Sequence, residues 1–354
     1  MGHQPNSNRL LILVIILLSF HANSMKGQEI QNTQEKISWK VDRPVFAASP
    51  KGNFDDGSVK DPSIVFYNNK WHLFYSGLSQ DRGLQIGYVN ADKLDGLMDG
   101  ERHMLKFSNV ENLAKKYAAP QVFFFEPHKK WYLVFQGYWN DVQPLYSCND
   151  DIEDPTQWTQ PKPLMPKFEQ NSWVDFYVIC DQEYAYLTYS RDYRSVYAVR
   201  TAIENFPEGF DTDNLIKLID DPNIEFGEAA HIYRAQGTNE YHMIYESSDL
   251  TNNRERRYSL YSANDIAGPW IVKYADYASK ELLRRSRDNQ GWPEEVSHGE
   301  MIRTNYSQSM EYDPVNVRFL MQGIVSSERG KNYNPDQYWM LPWKLGILET
   351  QIRR

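Results

Sequence analysis

The sequence predicts an all-β fold, a five-bladed β-propeller, and two observations lead to that prediction. First, five segments share one pattern: an apolar or aromatic strand, a short polar turn and a second aromatic strand. Second, these segments begin at residues 61, 119, 175, 228 and 299, at intervals of 58, 56, 53 and 71 residues. Hairpins that recur about every 50–60 residues are typical of propeller blades. A β-sandwich, the competing fold, has strands about every 8–12 residues and no longer period.

The elements follow the same order in each repeat. In the first repeat, Ile64–Tyr67 and Trp71–Tyr75 flank a short Asn-rich turn, and Gln85–Val89 supplies a third strand. The fifth repeat pairs His298–Arg303 with Val317–Met321. Third strands are expected in the intervening repeats at Leu145–Ser147, Val196–Arg200 and Tyr258–Ser262. Five repeats fill the chain, so we expect one propeller domain instead of two separate domains.

Composition limits the functional classes. Ten Trp, 24 Tyr and 16 Phe among 354 residues are too many for a disordered chain. The net charge of −9 argues against nucleic acid as a partner, because phosphates attract an excess of Lys and Arg. The two cysteines, Cys148 and Cys180, are too few for a disulfide scaffold or a cysteine zinc site. A Cys148–Cys180 disulfide and a buried free thiol at Cys180 are both consistent with the sequence.

The first 28 residues are predicted to be a signal peptide. Arg9 is followed by nine apolar residues, Leu10–Leu18, and then by small residues, an order typical of secretory signals. The alternative, a membrane anchor, needs about 20 apolar residues. We expect residues 1–28 to be removed, 29–57 to form an N-terminal segment and 58–354 to form the propeller. The mature protein would be exported, either to the periplasm or out of the cell, with no membrane span. Its net charge would be −11, because Arg9 and Lys26 are lost.

Three acidic residues stand where chemistry is expected. Asp61, Asp175 and Glu228 begin the first strands of three repeats, and the first strand of each propeller blade lines the central channel. If these positions are equivalent, three carboxylates converge at one mouth, and their repulsion raises the pKa of at least one. Glycoside hydrolysis needs such a set, with one ionised carboxylate and one protonated acid. A single acid at a strand start often caps a turn, but three equivalent acids favour catalysis.

Several motifs resemble glycoside hydrolase family 62 and occur in order along nearly the whole predicted propeller. They are Lys60–Val65, Ala119–Phe123, Trp173–Phe176, Val178–Asp181, Ser297–Glu300, Arg318–Gly323 and Leu341–Gly346. The resemblance implies a five-bladed propeller and an inverting α-L-arabinofuranosidase that releases arabinose side chains from arabinoxylan. The expected partner is therefore a plant cell-wall polysaccharide.

The resemblance also implies roles for individual residues. Asp61 would be the general base that activates water, and Glu228 the general acid that protonates the leaving oxygen. Asp175 would orient the sugar beside that acid. Lys60 would contact the arabinose, and Tyr338 would close the sugar pocket.

The sequence departs from the family pattern at substrate contacts. Pro62 stands where many members carry an aromatic residue, which makes this motif more like the related family 43. Gly137 stands where a sugar-stacking tryptophan is common, so Tyr138, or Trp139 beside it, is expected to make that contact. Trp339 replaces a common asparagine. A family-43-like arabinanase or β-xylosidase is therefore the alternative enzyme, and a non-catalytic sugar-binding propeller is the alternative from another class.

His298 matches a histidine that, in the family, holds a calcium ion near the propeller axis, largely through waters. Calcium prefers oxygen ligands, so a neutral histidine is an unusual partner for it. The sequence is consistent with one structural calcium ion at His298 and equally with a histidine that has only a structural role. No organic cofactor is expected.

Overall fold

Five β-sheets of four or five strands form the blades of a propeller, as the repeats predict. The computed structural model describes residues 37–350 apart from 109–115, 139–141, 166–172, 222–223, 249–255, 287–290 and 330–339. In this part of the chain the helices are short 3-10 segments at Leu94–Asp99, Lys106–Ser108, Glu126–His128, Ile203–Asn205, Lys280–Leu282 and Ser326–Arg329. None of the helices described there is long and apolar enough to cross a membrane.

Strand β1 (Trp39–Val41) precedes three four-stranded blades that follow one another along the chain. Blade 1 contains β2 (Ser58–Tyr67), β3 (Lys70–Ser79), β4 (Gly83–Ala91) and β5 (His103–Met104). Blade 2 contains β6 (Lys116–Phe125), β7 (Lys130–Tyr138), β8 (Val142–Asn149) and β9 (Lys162–Pro163). Blade 3 contains β10 (Trp173–Cys180), β11 (Tyr184–Arg191), β12 (Ser195–Ala202) and β13 (Ile216–Asp220). Each blade is an antiparallel meander that begins at its innermost strand.

The last two blades use strands from distant parts of the chain. Blade 4 contains β14 (Phe226–Ala235), β15 (Tyr241–Ser248), β16 (Arg256–Ala263) and β17 (Ile271–Ala278), with β20 (Glu311–Tyr312) parallel to β14. Blade 5 contains β19 (Glu295–Met301), β21 (Arg318–Ile324), β22 (Lys344–Thr350), β1 and β18 (Leu283–Arg285). In the antiparallel β1–β22 ladder, Lys40 pairs with Glu349. A strand from the segment 29–57 thus closes the ring.

Each innermost strand carries a β-bulge near its start. Asp61, Ala119, Asp175 and Ala229 lie at four of the register shifts and have φ values of 47°, 51°, 59° and 52°. In blade 5 the shift falls at His298, between Ser297 and Gly299. A left-handed backbone is uncommon for residues other than glycine, and a bulge re-aims the side chain that it carries. The bulges therefore decide which side chains face the mouth of the channel.

Buried polar side chains satisfy the amides of these bulges across the gaps between blades. Four come from equivalent positions on second strands: Ser76 Oγ accepts from Ala119 N (2.9 Å), Gln136 Oε1 from Asp175 N (3.0 Å), Glu246 Oε2 from His298 N (2.6 Å) and Gln322 Oε1 from Asp61 N (3.0 Å). The fifth amide, of Ala229, donates to Asp175 Oδ2 (3.0 Å). Ser190, at the equivalent position of blade 3, has a buried Oγ that makes no hydrogen bond to any described residue. These bonds tie each blade to the next.

The segment between β19 and β21 runs across the other end of the channel. The backbone carbonyls of Tyr306, Gln308 and Met310 accept from the innermost strands of blades 2, 3 and 4, at Phe124 N (2.7 Å), Cys180 N (2.9 Å) and Arg234 N (3.2 Å). Arg303 Nη2 donates to the carbonyls of Ile64 (3.2 Å) and Val122 (2.8 Å) in blades 1 and 2. The segment therefore covers the end of the channel opposite the bulges.

The two cysteines are free thiols and do not form the disulfide that the sequence left open as the other possibility. Cys180 is buried in β10, and Cys148 is partly buried in β8. Burial raises the pKa of Cys148 to about 11 and that of Cys180 well above its usual value. Neither thiol is therefore ionised at neutral pH.

Candidate active site

A cavity of about 450 Å³ opens at the end of the channel where the bulges lie. It is lined by five residues that the sequence predicts as functional: Lys60, Asp61, Asp175, Glu228 and His298. Residues that the sequence analysis did not select also line it, among them Lys116, Gln136, Tyr193, Phe226, Arg256 and Gln322. Its volume lies within the range of small-molecule sites, about 300–1,000 Å³. The structure thus brings the three predicted acids together at one opening.

Asp61 is buried between two basic groups. Its Oδ1 lies 3.5 Å from His298 Nδ1 and 3.9 Å from Lys60 Nζ, and only 6% of the residue is exposed. Burial alone would raise the pKa of Asp61, but Lys60 and His298, with hydrogen bonds from Ser76 and the Ala119 amide, lower it below its usual value. Asp61 is therefore a carboxylate at neutral pH, which a general base must be.

His298 is the partner that keeps this charge paired. Burial alone would lower its pKa, but the charges of Asp61 and Asp175 outweigh burial and raise it. Its backbone amide is held by Glu246, and its ring lies edge-on to that of His231, with centroids 5.4 Å apart. The imidazole is thus oriented as a proton-bearing partner of Asp61.

Asp175 is as buried as Asp61 but is not compensated in the same way. Burial is the largest cause that raises its pKa to about 7, and Glu228 and Asp61 raise it further against the opposing effect of His298. Its Oδ2 accepts the Ala229 amide, which leads directly from Glu228 along β14. Asp175 is therefore partly protonated near neutral pH. The expectation that repulsion raises the pKa of one acid is met at Asp175, with burial as the larger cause.

Glu228 is the most accessible of the three acids, with 20% of its side chain exposed. Arg256 Nη1 donates to its Oε1 and also to Oε1 of Glu246, so one guanidinium bridges two carboxylates. Glu246 is completely buried and accepts further hydrogen bonds from Tyr258 Oη (3.1 Å) and Ser297 Oγ (2.8 Å). Glu228 is thereby anchored through Arg256 to the interface between blades 4 and 5.

The three acids do not occupy equivalent positions, and that expectation is wrong for Glu228. Asp61 and Asp175 are bulge residues with positive φ, whereas the bulge residue of blade 4 is Ala229. Glu228 precedes the bulge and pairs in register with Glu246. The sequence did not reveal this difference of one residue, because a bulge is a feature of the backbone and the spacing of apolar residues does not show where it lies.

Arg256 and Glu246 are the main charged residues of the site that the sequence analysis missed. Arg256 follows residues 249–255, which lie outside the described part, and the motif of the third strand gives no sign of it. Glu246 carried a signal, since it is a charged residue directly after the apolar run Met243–Tyr245 in a second strand. A buried charge at that place implies a paired partner.

The remaining predicted residues are placed only in part. Lys60 lines the cavity beside Asp61, as a sugar contact requires. Tyr138 is the last residue of β7, and its side chain lies outside the described part of the structure. Tyr338 and Trp139 lie outside the described residues.

The calcium ion implied at His298 stays a prediction. Among the described residues, no group of three or more His, Cys, Asp and Glu side chains is placed to share a metal ion. His298 instead faces Asp61 at 3.5 Å with a raised pKa, which suits an ion pair better than a neutral ligand. These residues do not form a direct ligand set for calcium, and no step below depends on one.

Comparison with known proteins gives a consistent result. Residues 39–349 match the model of Glycosyl hydrolase family 62. A curated relative, Alpha-L-arabinofuranosidase C of Cellvibrio japonicus (strain Ueda107), is 32% identical over 322 residues, which are 89% of this chain and 47% of that protein. The chain thus spans about half the length of that relative.

Two solved structures are similar over nearly their whole length. The catalytic domain of a family-62 alpha-L-arabinofuranosidase from Coprinopsis cinerea is 29% identical, with a TM-score of 0.78, over 90% of this chain and 98% of that one. A family-62 hydrolase solved in complex with xylotriose is also 29% identical, with a TM-score of 0.75, over 89% of this chain and 97% of that one.

Proposed function

Because the chain belongs to glycosyl hydrolase family 62, we propose that it is a secreted, inverting α-L-arabinofuranosidase that releases arabinose side chains from arabinoxylan. The observation that carries the proposal is that two carboxylates, those of Asp61 and Glu228, line the same cavity. Asp61 is kept ionised by Lys60 and His298, whereas Glu228 lies in a different blade and nearer to solvent. Glycoside hydrolysis needs such a pair of carboxyl groups beside the scissile bond, and inversion is the outcome that the resemblance to the family implies.

These placements support the following reaction. Asp61 accepts a proton from a water molecule, and the water attacks the anomeric carbon of arabinose on the face opposite the leaving group. Glu228 gives a proton to the glycosidic oxygen, so the sugar chain leaves as an alcohol. Arg256 holds Glu228 Oε1, which leaves Oε2 to carry that proton. Asp175 positions the sugar between the two.

The substrate is proposed from the relatives as well as from the cavity. The curated relative is named an alpha-L-arabinofuranosidase, and one solved relative binds xylotriose, a fragment of the xylan backbone. A cavity with carboxylates, lysines and aromatic residues in its wall can bind the hydroxyl groups and the apolar faces of a sugar. Arabinose attached to a xylan chain offers both hydroxyl groups and apolar sugar faces to such a cavity.

A product assay on two polysaccharides tests the proposal. The wild-type protein is expected to release arabinose from wheat arabinoxylan and little from linear arabinan. Glu228→Gln is expected to abolish release from arabinoxylan, while Glu225→Gln, an exposed glutamate that leads into the same strand, is expected to retain it. Release from arabinan alone would favour the family-43-like alternative. Binding of either polysaccharide without any product would favour a sugar-binding propeller.

Secretion is proposed from the amino-terminal sequence. Leu10–Leu18 and the small residues that follow support cleavage near residue 28. Expression with residues 1–28 intact in a host with a secretory pathway is expected to deliver protein to the medium, and sequencing of its amino terminus locates the cleavage point. Protein that keeps residues 1–28 and stays with the cells would contradict the proposal.

A further inference from the structure

The turn between β11 and β12 places a tyrosine in an unfavourable backbone conformation. Asp192 and Tyr193 both have positive φ, 54° and 51°, and Arg194 N donates to Arg191 O (3.1 Å) to close the turn. Three residues connect Arg191 to its partner Ser195, and a tight turn with two central residues at positive φ favours Asn and Gly. A tyrosine there is strained, and strain of this kind is retained where the surroundings require it and often where it serves function.

The surroundings hold Tyr193 in two ways. Its carbonyl accepts the amide of Gly227 (2.6 Å), the residue before Glu228. Its ring stacks on that of Phe226, with centroids 4.9 Å apart and an interplanar angle of 13°. The Arg256 guanidinium, which holds Glu228, lies 5.0 Å from the Phe226 ring centroid. Tyr193 is thus connected on both sides to the strand that carries Glu228.

Tyr193 also lies at the outer edge of the cavity. The cavity wall contains Tyr193 and Phe226, and Tyr193 is 37% exposed, against 6% for Asp61 and Asp175. Burial and the charges of Glu228 and then Asp175 raise the pKa of the Tyr193 hydroxyl, which places the ring within the field of both acids. Exposure therefore increases from Asp61 and Asp175, through Glu228, to Tyr193.

We propose that Tyr193, backed by Phe226, is the platform on which the sugar that carries the arabinose stacks. This proposal rests on the proposed function. Arabinose occupies the deep end, between Asp61 and Glu228, so the sugar that leaves must lie outward of Glu228, where the Tyr193 ring is exposed. Its chemical class is a pyranose, whose C–H-rich face packs on an aromatic ring. The strain at Tyr193 is maintained because a small turn residue would provide no such surface.

Three variants test this platform. Tyr193→Asn removes the ring and installs a residue that suits the turn, whereas Tyr193→Phe keeps the ring. The control, Phe66→Ala, removes an exposed ring at the end of β2 that is far from Asp61. Activity is measured on an arabinose-substituted xylo-oligosaccharide and on α-L-arabinofuranosyl fluoride, whose leaving group has no ring. Binding of xylotriose to each protein and the melting temperature are measured beside them.

For Tyr193→Asn we expect kcat/KM on the oligosaccharide to fall about tenfold, mostly through KM, and xylotriose binding to weaken about tenfold. Activity on the fluoride is expected to change less than about twofold, and the melting temperature to stay or rise. Tyr193→Phe and Phe66→Ala are expected to match the wild type on both substrates.

Equal losses on both substrates, or unchanged xylotriose binding by Tyr193→Asn, would overturn the platform. A fall in melting temperature with no difference between the substrates would assign Tyr193 a structural role only. If wild-type protein leaves the fluoride intact, the proposed hydrolase function fails. The comparison of xylotriose binding still decides the platform in that case.

Discussion

Asp61 and Asp175 are equally buried, yet their surroundings shift their pKa values in opposite directions. Asp61 has Lys60 and His298 beside it, so its pKa is lowered in spite of burial. Asp175 has Glu228 and Asp61 in its surroundings, and burial and these charges raise its pKa to about 7. The same side chain at the same bulge position is thus ionised in blade 1, where we propose a base, and partly protonated in blade 3, where we propose a positioning group.

Removal of the Lys60 charge is expected to move the acid limb of the pH–rate profile. Lys60 is the largest of the causes that lower the pKa of Asp61, so Lys60→Gln raises that pKa. The base must be ionised, and a higher pKa leaves it protonated up to a higher pH. The acid limb of kcat/KM is therefore expected to move upward. Lys70→Gln, at the far end of the same hairpin, is the control. A lower activity with an unmoved limb would leave Lys60 only a sugar contact.

Asp175→Asn is expected to stabilise the protein at alkaline pH while it lowers activity. A group whose pKa is raised on folding destabilises the native state as the pH rises from its unfolded value, 3.8, to its folded value, about 7. Asparagine keeps the shape but cannot ionise, so the variant gains at most about 4 kcal/mol above pH 7 and less than about 1 kcal/mol at pH 4. Melting temperatures at pH 4 and pH 8 measure this. An equal shift at both pH values would contradict the buried, raised pKa.

At the scale of elements, the hairpins were predictable and their outer strands were not. The first three strands of repeats one to four, and the first two of the fifth repeat, were predicted from their aromatic and β-branched residues, which favour strands. β5 and β9 are two residues long and have no period to detect, and β1 joins β22 from the opposite end of the chain. Bulges also escaped prediction because they depend on the backbone, which is why Glu228 was assigned to the wrong repeat position.

The bulge amides allow a matched comparison of two serines. Ser76 and Ser190 occupy equivalent second-strand positions, but only Ser76 accepts a bulge amide, that of Ala119. Ser76→Ala removes one buried acceptor of that amide and a hydrogen-bond donor to Asp61, and is expected to cost about 1–3 kcal/mol of unfolding free energy. Ser190→Ala removes a buried hydroxyl that has no hydrogen-bond partner in the described chain and is expected to cost less than about 0.5 kcal/mol or to stabilise. Urea unfolding measures both, and equal costs would contradict the inter-blade role of Ser76.

At the scale of the whole molecule, the described strands close the ring, and a described segment covers the end of the channel opposite the cavity. β1 pairs with β22 to close the ring, and residues 306–310 bond to the innermost strands of three blades at the opposite end. Asp61 and Glu228 reach the mouth from blades 1 and 4, with blade 5 between them on one side. The sequence predicted the three acids because each stands near the start of the first strand of a repeat. It did not predict Arg256 or Tyr193, because their roles depend on contacts between strands and between neighbouring blades.

The anomer that is formed first on arabinoxylan tests the central claim most directly. NMR of the anomeric proton during early turnover distinguishes the two anomers before mutarotation. If Asp61 activates water opposite the bond that Glu228 protonates, β-L-arabinofuranose is expected to appear first. First appearance of the α anomer would contradict the roles of Asp61 and Glu228, and the absence of arabinose would contradict the proposed activity itself.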